Sequence, residues 1–286
     1  MKSYARKSFR NKKGVEPIVA TVIITGAIIA LVTAAMIFAN NLLTATVAQG
    51  DFNSAKQFMQ TVAMQIDDVA WQMGQTETVS YSSTYGTVNV LNGALKYTIT
   101  MTNATGSTPY TFTTGIIYFY MPVSYYSISN SYFSQIWPSQ VLNPVNDGST
   151  APLATVFAVE KIPLNGSYIR VVAAPVIRLI PSNITSTSYY TLYLPMLSLA
   201  GSPMVAQSIT LKGNSISVHT QNNLKSITIT VNFPISGFDQ TFFNFALGGG
   251  WTKYSNGTIS ELLTVSQGSV AQLYTASVSV SLGANV

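Results

Sequence analysis

Apolar residues follow three successive patterns along this chain, and each predicts a different element. Residues 17–39 are apolar on almost every side, through Pro17, Ile18, Val22, Gly26, Ile29, Ala30 and Ala34, and no charge occurs from Pro17 until after Gly50. As helix, those 23 residues would measure about 35 Å at roughly 1.5 Å per residue, enough for a hydrocarbon core of about 30 Å. From 51 to 73 the pattern acquires a face. Phe52, Ala55, Met59, Val62, Ile66, Val69 and Met73 recur at alternating steps of three and four, with Lys56, Gln60, Gln65, Asp68 and Gln72 largely between them. Beyond residue 75 the period drops to two: 97–101, 226–231 and 276–282 alternate in Thr, Ser, Val, Ile and Tyr, the texture of strands with one buried side.

Joined end to end, the first two patterns predict one helix of roughly 85 Å. Asn40, Asn41, Thr44, Thr46 and Gly50 lower its propensity midway, so a kink or melted turn at 40–50 stays open. Gly74 is the predicted stop. The amphipathic half has three candidate partners: the β-region of its own chain, neighbouring helices, or a coiled-coil stalk.

In the β-region, further strands are predicted at 115–121, 168–180, 188–194 and 261–265. Turn chemistry at Lys212, Gly213 and Asn214, and again at Gln221, Asn222 and Asn223, predicts a three-strand meander over 208–233. Residues 125–147, rich in Ser, Tyr, Asn and Pro, read as a long decorated loop. The fold class expected is α+β: a long hydrophobic helix followed by an all-β, antiparallel, sandwich-like (Ig-like) head.

Charge sharpens the first pattern. Lys2, Arg6, Lys7, Arg10, Lys12 and Lys13 supply 6 of the 14 cations, and no acid precedes Glu16; the remainder, with 8 cations and 9 acids, is near neutral. A basic surface for nucleic acid is therefore not expected, despite the net charge of +5. Basic residues ahead of an apolar run stay on the cytoplasmic side, which orients everything after it outward.

Three fates of this N-terminus compete. A secretory signal would be cut near Thr46, Val47 and Ala48, although its apolar region is longer than the usual 7–15 residues. An uncut chain would be a single-pass anchor. Cleavage before the apolar run, after Gly14, would leave the whole hydrophobic segment on the mature protein.

The run Lys12, Lys13, Gly14, Val15, Glu16, Pro17, Ile18, Val19, Ala20 and Thr21 resembles the class III signal and mature N-terminus of archaeal type IV pilins. The resemblance covers roughly the first 75 residues. It implies a leader of residues 1–14 removed between Gly14 and Val15, with Lys13, Gly14, Val15 and Glu16 forming the cleavage region. It also implies a helix over 15–75 whose residues Pro17, Ile18, Val22, Gly26, Ile29, Ala30 and Ala34 line a filament core, and an extracellular β-rich head over 76–286. The implied partners are identical subunits, a prepilin peptidase, an assembly ATPase, a membrane platform protein, and the cytoplasmic membrane before assembly. Glu16 departs from the small or apolar residue usual there. Near a helix N-terminus an acid suits the macrodipole, and Pro17 suits a first turn.

Candidate chemistry is sparse. The chain has no cysteine, which excludes cysteine nucleophiles, zinc–thiolate sites and iron–sulfur clusters. Its one histidine, His219, lies in the predicted meander; Asp67 and Asp68 are adjacent on a helix and point apart; Asp147, Glu160, Asp239 and Glu261 are isolated in sequence. Gly248, Gly249, Gly250 and Trp251 lack the following Lys and Ser/Thr of a phosphate loop. No enzymatic activity, catalytic residue, metal or cofactor is expected. Sequons at Asn103, Asn165, Asn183 and Asn256 offer N-linked glycans, which would hydrate an otherwise weakly charged head.

The expected function is structural: the major subunit of an archaeal type IV pilus-like surface filament, inserted in the membrane as a precursor and joined through its hydrophobic helix, in surface adhesion. The alternatives are a membrane-anchored extracellular binding protein, a minor pilin, or an archaellin-like subunit.

Overall fold

A single α-helix, α1 (Val15–Ala70), carries the first two sequence patterns without interruption. The computed structural model describes residues 15–126, 128, 132–138, 144–160, 168–201, 207–234, 251–253 and 258–283. The low-propensity stretch at 40–50 remains helical. One of its threonines is satisfied locally, Thr46 Oγ1 donating to the Leu42 carbonyl at 2.8 Å, and helical residues on both sides spare it the cost of nucleation.

The chain divides into two compact units between Val47 and Ala48. In the first, every residue from 17 to 43 is exposed. In the second, the amphipathic stripe supplies one wall of a core: Phe52, Ala55, Met59, Val62, Ile66 and Val69 are buried, joined by Ala48, Phe58, Ala63 and Ala70. Each large side chain so buried contributes about 1.5–3 kcal/mol of transfer free energy, so this half of the helix is held by packing rather than by propensity. The stripe therefore packs on the β-domain of its own chain. Met73 is a correction: it is 71 % exposed, because the helix ends at Ala70 and the chain turns away through Gly74 at φ 85°.

Twelve strands follow among the described residues: β1 (Thr76–Ser80), β2 (Thr87–Asn103), β3 (Ser107–Pro122), β4 (Phe133–Trp137), β5 (Val145–Asp147), β6 (Ala154–Glu160), β7 (Tyr168–Pro175), β8 (Ile177–Ile184), β9 (Thr187–Leu199), β10 (Ser208–Asn232), β11 (Trp251–Lys253) and β12 (Ile259–Leu282). They form one sheet in the order β4-β6-β7-β3-β2-β10-β12-β9-β8-β5, with β1 added to β10 and β11 to β12. Pairing is antiparallel except at β9 with β12 and β5 with β8. The architecture is α+β, as expected.

The sandwich-like layering comes from curling this one sheet upon itself. At Thr114 in β3, the hydroxyl accepts the Leu197 N–H at 2.8 Å, tying β3 to β9 although β2, β10 and β12 separate them along the sheet. A Cβ on Gly115 would lie 2.9 Å from the Leu91 carbonyl oxygen and 3.1 Å from that of Leu197, so glycine permits the approach. Leu199 N–H also donates to Asn92 Oδ1 at 2.7 Å. Inside the curl lies a second core containing Tyr97, Ile99, Met101, Leu192, Leu194, Ile227 and Ile229. The buried Tyr97 hydroxyl donates to the Pro175 carbonyl at 2.8 Å, and burial pushes its pKa up.

The three-strand meander predicted over 208–233 is instead the single strand β10, which pairs with β12 through register shifts at Gly213/Ser215, Gln221/Leu224 and Leu224/Ser226. Both turn signals mark bulges. Asn223 takes the positive φ of 57° that its residue type tolerates, and Gly213 lies where the end of the helix presses on the sheet. The predicted strand 168–180 is two, β7 and β8, and the stretch read as a loop over 125–147 contains β4 and β5.

Candidate functional site

The exposed segment of α1 is the largest feature of the described surface that folding leaves uncovered. Ile18, Val22, Ile29, Leu31 and Phe38 are 66, 66, 61, 70 and 71 % exposed, and α1 from Pro17 is long and apolar enough to cross a membrane. Exposure of this many aliphatic side chains in succession marks an interaction surface, either for lipid or for other protein. Two of its hydroxyls are satisfied by the helix itself: Thr21 and Thr33 return theirs to the carbonyls of Pro17 and Ile29 at 2.7 and 2.8 Å. Around Gly26 nothing lies within 4 Å of where a Cβ would sit. Pro17, Ala30 and Ala34 are exposed on the same segment. Val15 and Glu16 open the helix; Lys13 and Gly14 lie outside the described residues.

Where the second unit begins, one carboxylate gathers a loop. Asp51 Oδ2 accepts the N–H groups of Thr84 and Tyr85 at 2.7 and 2.8 Å and the Ser83 hydroxyl at 3.0 Å, while Ser83 Oγ in turn accepts the Gly86 N–H at 2.9 Å. A partner 32 to 34 residues upstream carries no local signal in the sequence. At the other end of the packed helix, Arg178 of β8 pairs with Asp67 and donates from Nε to the Ala151 carbonyl. Trp71 meets Tyr193 edge-on at 5.0 Å, and Tyr193 stacks on Tyr274 at 5.1 Å. Asp67 and Asp68 do point apart, as their adjacency required: Asp67 is half-buried on Arg178 and Asp68 exposed.

The remaining candidates are dispersed. His219 is half-buried on β10 between Tyr110 and Phe112, 4.7 and 6.0 Å ring to ring. Glu261 and Asp147, isolated in sequence, interact in the fold. Burial raises the pKa of both carboxyls, and the Asp147 charge raises that of Glu261 further. Among the described residues no three His, Cys, Asp or Glu side chains gather as metal ligands. Asn103 occupies a tight turn in which its Oδ1 accepts Thr105 N–H at 2.9 Å, Thr105 Oγ1–H at 2.7 Å and Gly106 N–H at 2.9 Å. Asn183 is exposed beside the two-residue β8–β9 hairpin of Thr185 and Ser186, both at positive φ. Asn165, Asn256, Asp239 and the glycines at 248–250 lie outside the described residues.

Comparison of the chain with protein-family models, with curated proteins and with solved structures finds no match. The architecture alone is pilin-like: an exposed hydrophobic N-terminal helix whose second half packs on a β-sheet head.

Proposed function

We propose that this protein is the structural subunit of a type IV pilus-like extracellular filament of the archaeal kind, held in the cytoplasmic membrane as a precursor and polymerised through its N-terminal helix. The observation that carries the reading is the uninterrupted exposure of residues 17–43 on a helix whose next two dozen residues are locked into a folded head. A lone chain has nothing to cover such a surface, whereas a bilayer covers it before assembly and neighbouring helices cover it afterwards. The leader of residues 1–14 is removed between Gly14 and Val15, leaving the helix at the mature terminus. The β-domain forms the outer, adhesive surface, with glycans at Asn103, Asn165, Asn183 and Asn256. Self-association is the chemistry of this subunit, and no catalysis is assigned to it. A prepilin peptidase, an assembly ATPase and a platform protein act on it during assembly.

N-terminal sequencing of filaments purified from the cell surface and seen by electron microscopy tests this reading. Val15 as the first residue supports it. Met1 retained on surface material makes the protein an anchored one, and Gln49 makes it an ordinary secreted one; either overturns the filament assignment.

A further inference from the structure

The two edges of the long strand β10 are bordered differently. β12 pairs along one edge from Ile209 to Val231. On the opposite edge β1 pairs with residues 208–212 and β2 with residues 224–232, both antiparallel to β10. Between them no described strand pairs with residues 214–223 on that edge. The gap is closed at one end by the backbone bonds of Gly213 to Gly74 and Gln75, and at the other by the end of β2 at Asn103. Ser215, Ser217, Val218, Thr220 and Asn222 are exposed along it, Val218 by 49 %.

Paired strands lie about 4.8 Å apart and rise about 3.3 Å per residue, so the gap is a notch one strand deep and about 33 Å long. Alternate residues along it turn a backbone N–H and C=O outward, a ladder whose geometric complement is another extended backbone. The recess limits what can reach that ladder. The same edge of a second copy is held off, because β1 and β2 of the two copies collide before the edges meet. Charge limits it further. Residues 213–224 contain no Asp, Glu, Lys, Arg or Pro, while the exposed Lys212 and Lys225 stand at either end. Lysines so placed repel a second notch and attract carboxylates. Ile216 packs against the helix-side core and Val218, two residues on, shares its face, so that face of the notch is apolar.

We propose that this notch binds an extended segment of a partner polypeptide, neutral along its middle and acidic at both ends, which adds as a strand to β10 and completes the row that β1 and β2 leave open. Main-chain hydrogen bonds supply the affinity, and alternate side chains of the incoming strand lie over Ile216 and Val218. Lys212 and Lys225 hold its two ends and set its register. The notch lies wholly within the second compact unit, so its geometry owes nothing to residues 15–47 and the site exists whether or not copies polymerise.

Hydrogen exchange read residue by residue on the full chain in detergent micelles tests this. The probe is an end-blocked peptide of alternating threonine and valine, matched in length to residues 214–223 and carrying a glutamate at each end. In the free chain, alternate amides of 214–223 should exchange fast; at a peptide concentration about ten times its Kd they should slow about tenfold. A lysine-ended version should bind about tenfold more weakly, and Lys212→Glu combined with Lys225→Glu, both at exposed positions, should reverse that preference. Amides of the notch that are all slow in the free chain at every protein concentration mean that the notch is filled from within, and overturn the site. Slowing that appears with protein concentration alone assigns the notch to a second copy and overturns the partner assignment. No slowing with either peptide overturns strand addition, and equal binding of the two peptides overturns the role of the lysines.

Discussion

Gly213 of β10 packs directly under the carbonyl oxygen of Val69 in the last turn of the helix. A Cβ there would meet that oxygen, and would lie 2.7 Å from the carbonyl oxygen of Gln72. The contact is reinforced by reciprocal backbone bonds, Gly74 N–H to the Gly213 carbonyl at 2.8 Å and Gly213 N–H to the Gln75 carbonyl at 3.0 Å. Neither obstructing group is the flexible end of a side chain, so Gly213→Ala must move the helix end or the strand. Overpacking of this kind costs about 1–3 kcal/mol. Chemical denaturation should show a loss in that range for Gly213→Ala, whereas Gly74→Ala should lose stability through its positive φ alone, since nothing lies within 4 Å of its Cβ position.

The same residue shows what the sequence could and could not reveal. Gly213 between alternating segments reads as a turn, because a turn is the commonest use of glycine there; the helix end that requires it lies in a different part of the chain. Period and burial were legible: six of the seven stripe residues from Phe52 to Val69 and beyond are buried, and only Met73 is not. What was illegible is non-local. Neither the β3–β9 seam at Thr114 nor the clamp of Asp51 on Thr84 leaves a trace in local composition.

The stripe gives a second prediction. Met59 and Ile66 are fully buried between helix and sheet, so Met59→Ala and Ile66→Ala each remove packed methylenes and should destabilise the head by about 2–5 kcal/mol. Met64, on the outer side and 42 % exposed, should change stability by less than about 0.5 kcal/mol on substitution by Gln. Equal losses at Met59 and Met64 would contradict packing of this face on the sheet.

Asp51 supports a third. Its Oδ2 is the shared acceptor of two N–H groups and one hydroxyl, and Asp51→Ala removes all three bonds at once. Bonds to a charged acceptor are worth about 1.5–3 kcal/mol when buried, and the partial exposure here reduces that to about 1–2 kcal/mol in total. Hydrogen exchange at the Thr84 and Tyr85 amides should accelerate in the variant, while amides of β10 and β12 stay protected at the level set by global stability.

The carboxyls of Asp147 and Glu261 give stability a pH dependence of defined sign. Burial raises both above the ordinary carboxylate range, and the charge of Asp147 adds to the rise at Glu261. Between the unfolded and folded pKa values the native state therefore holds more protons than the unfolded one, so these groups make stability fall as pH rises through that window. On acidification from neutral pH they oppose acid unfolding. Asp147→Asn and Glu261→Gln should flatten this part of the stability–pH curve and raise stability at neutral pH; an unchanged slope in the double variant would show that the two carboxyls do not set it.

On the proposed filament function, exposure of the first helical segment separates folding from assembly. Val22 and Leu31 are 66 and 70 % exposed and no residue between 17 and 43 is covered, so an acid placed there has no native packing to disrupt. Val22→Asp and Leu31→Asp should leave the denaturation midpoint of the β-domain within about 0.5 kcal/mol of the parent. In hydrocarbon, or among packed apolar helices, the same carboxylate is costly, by about 2.5–3.5 kcal/mol on insertion scales. A filament whose core repeats that defect in every subunit multiplies the cost by the number of copies, so filaments should be absent from cells that still make a folded head. Filaments of normal number and length from Leu31→Asp would show that this surface is not the one through which copies join.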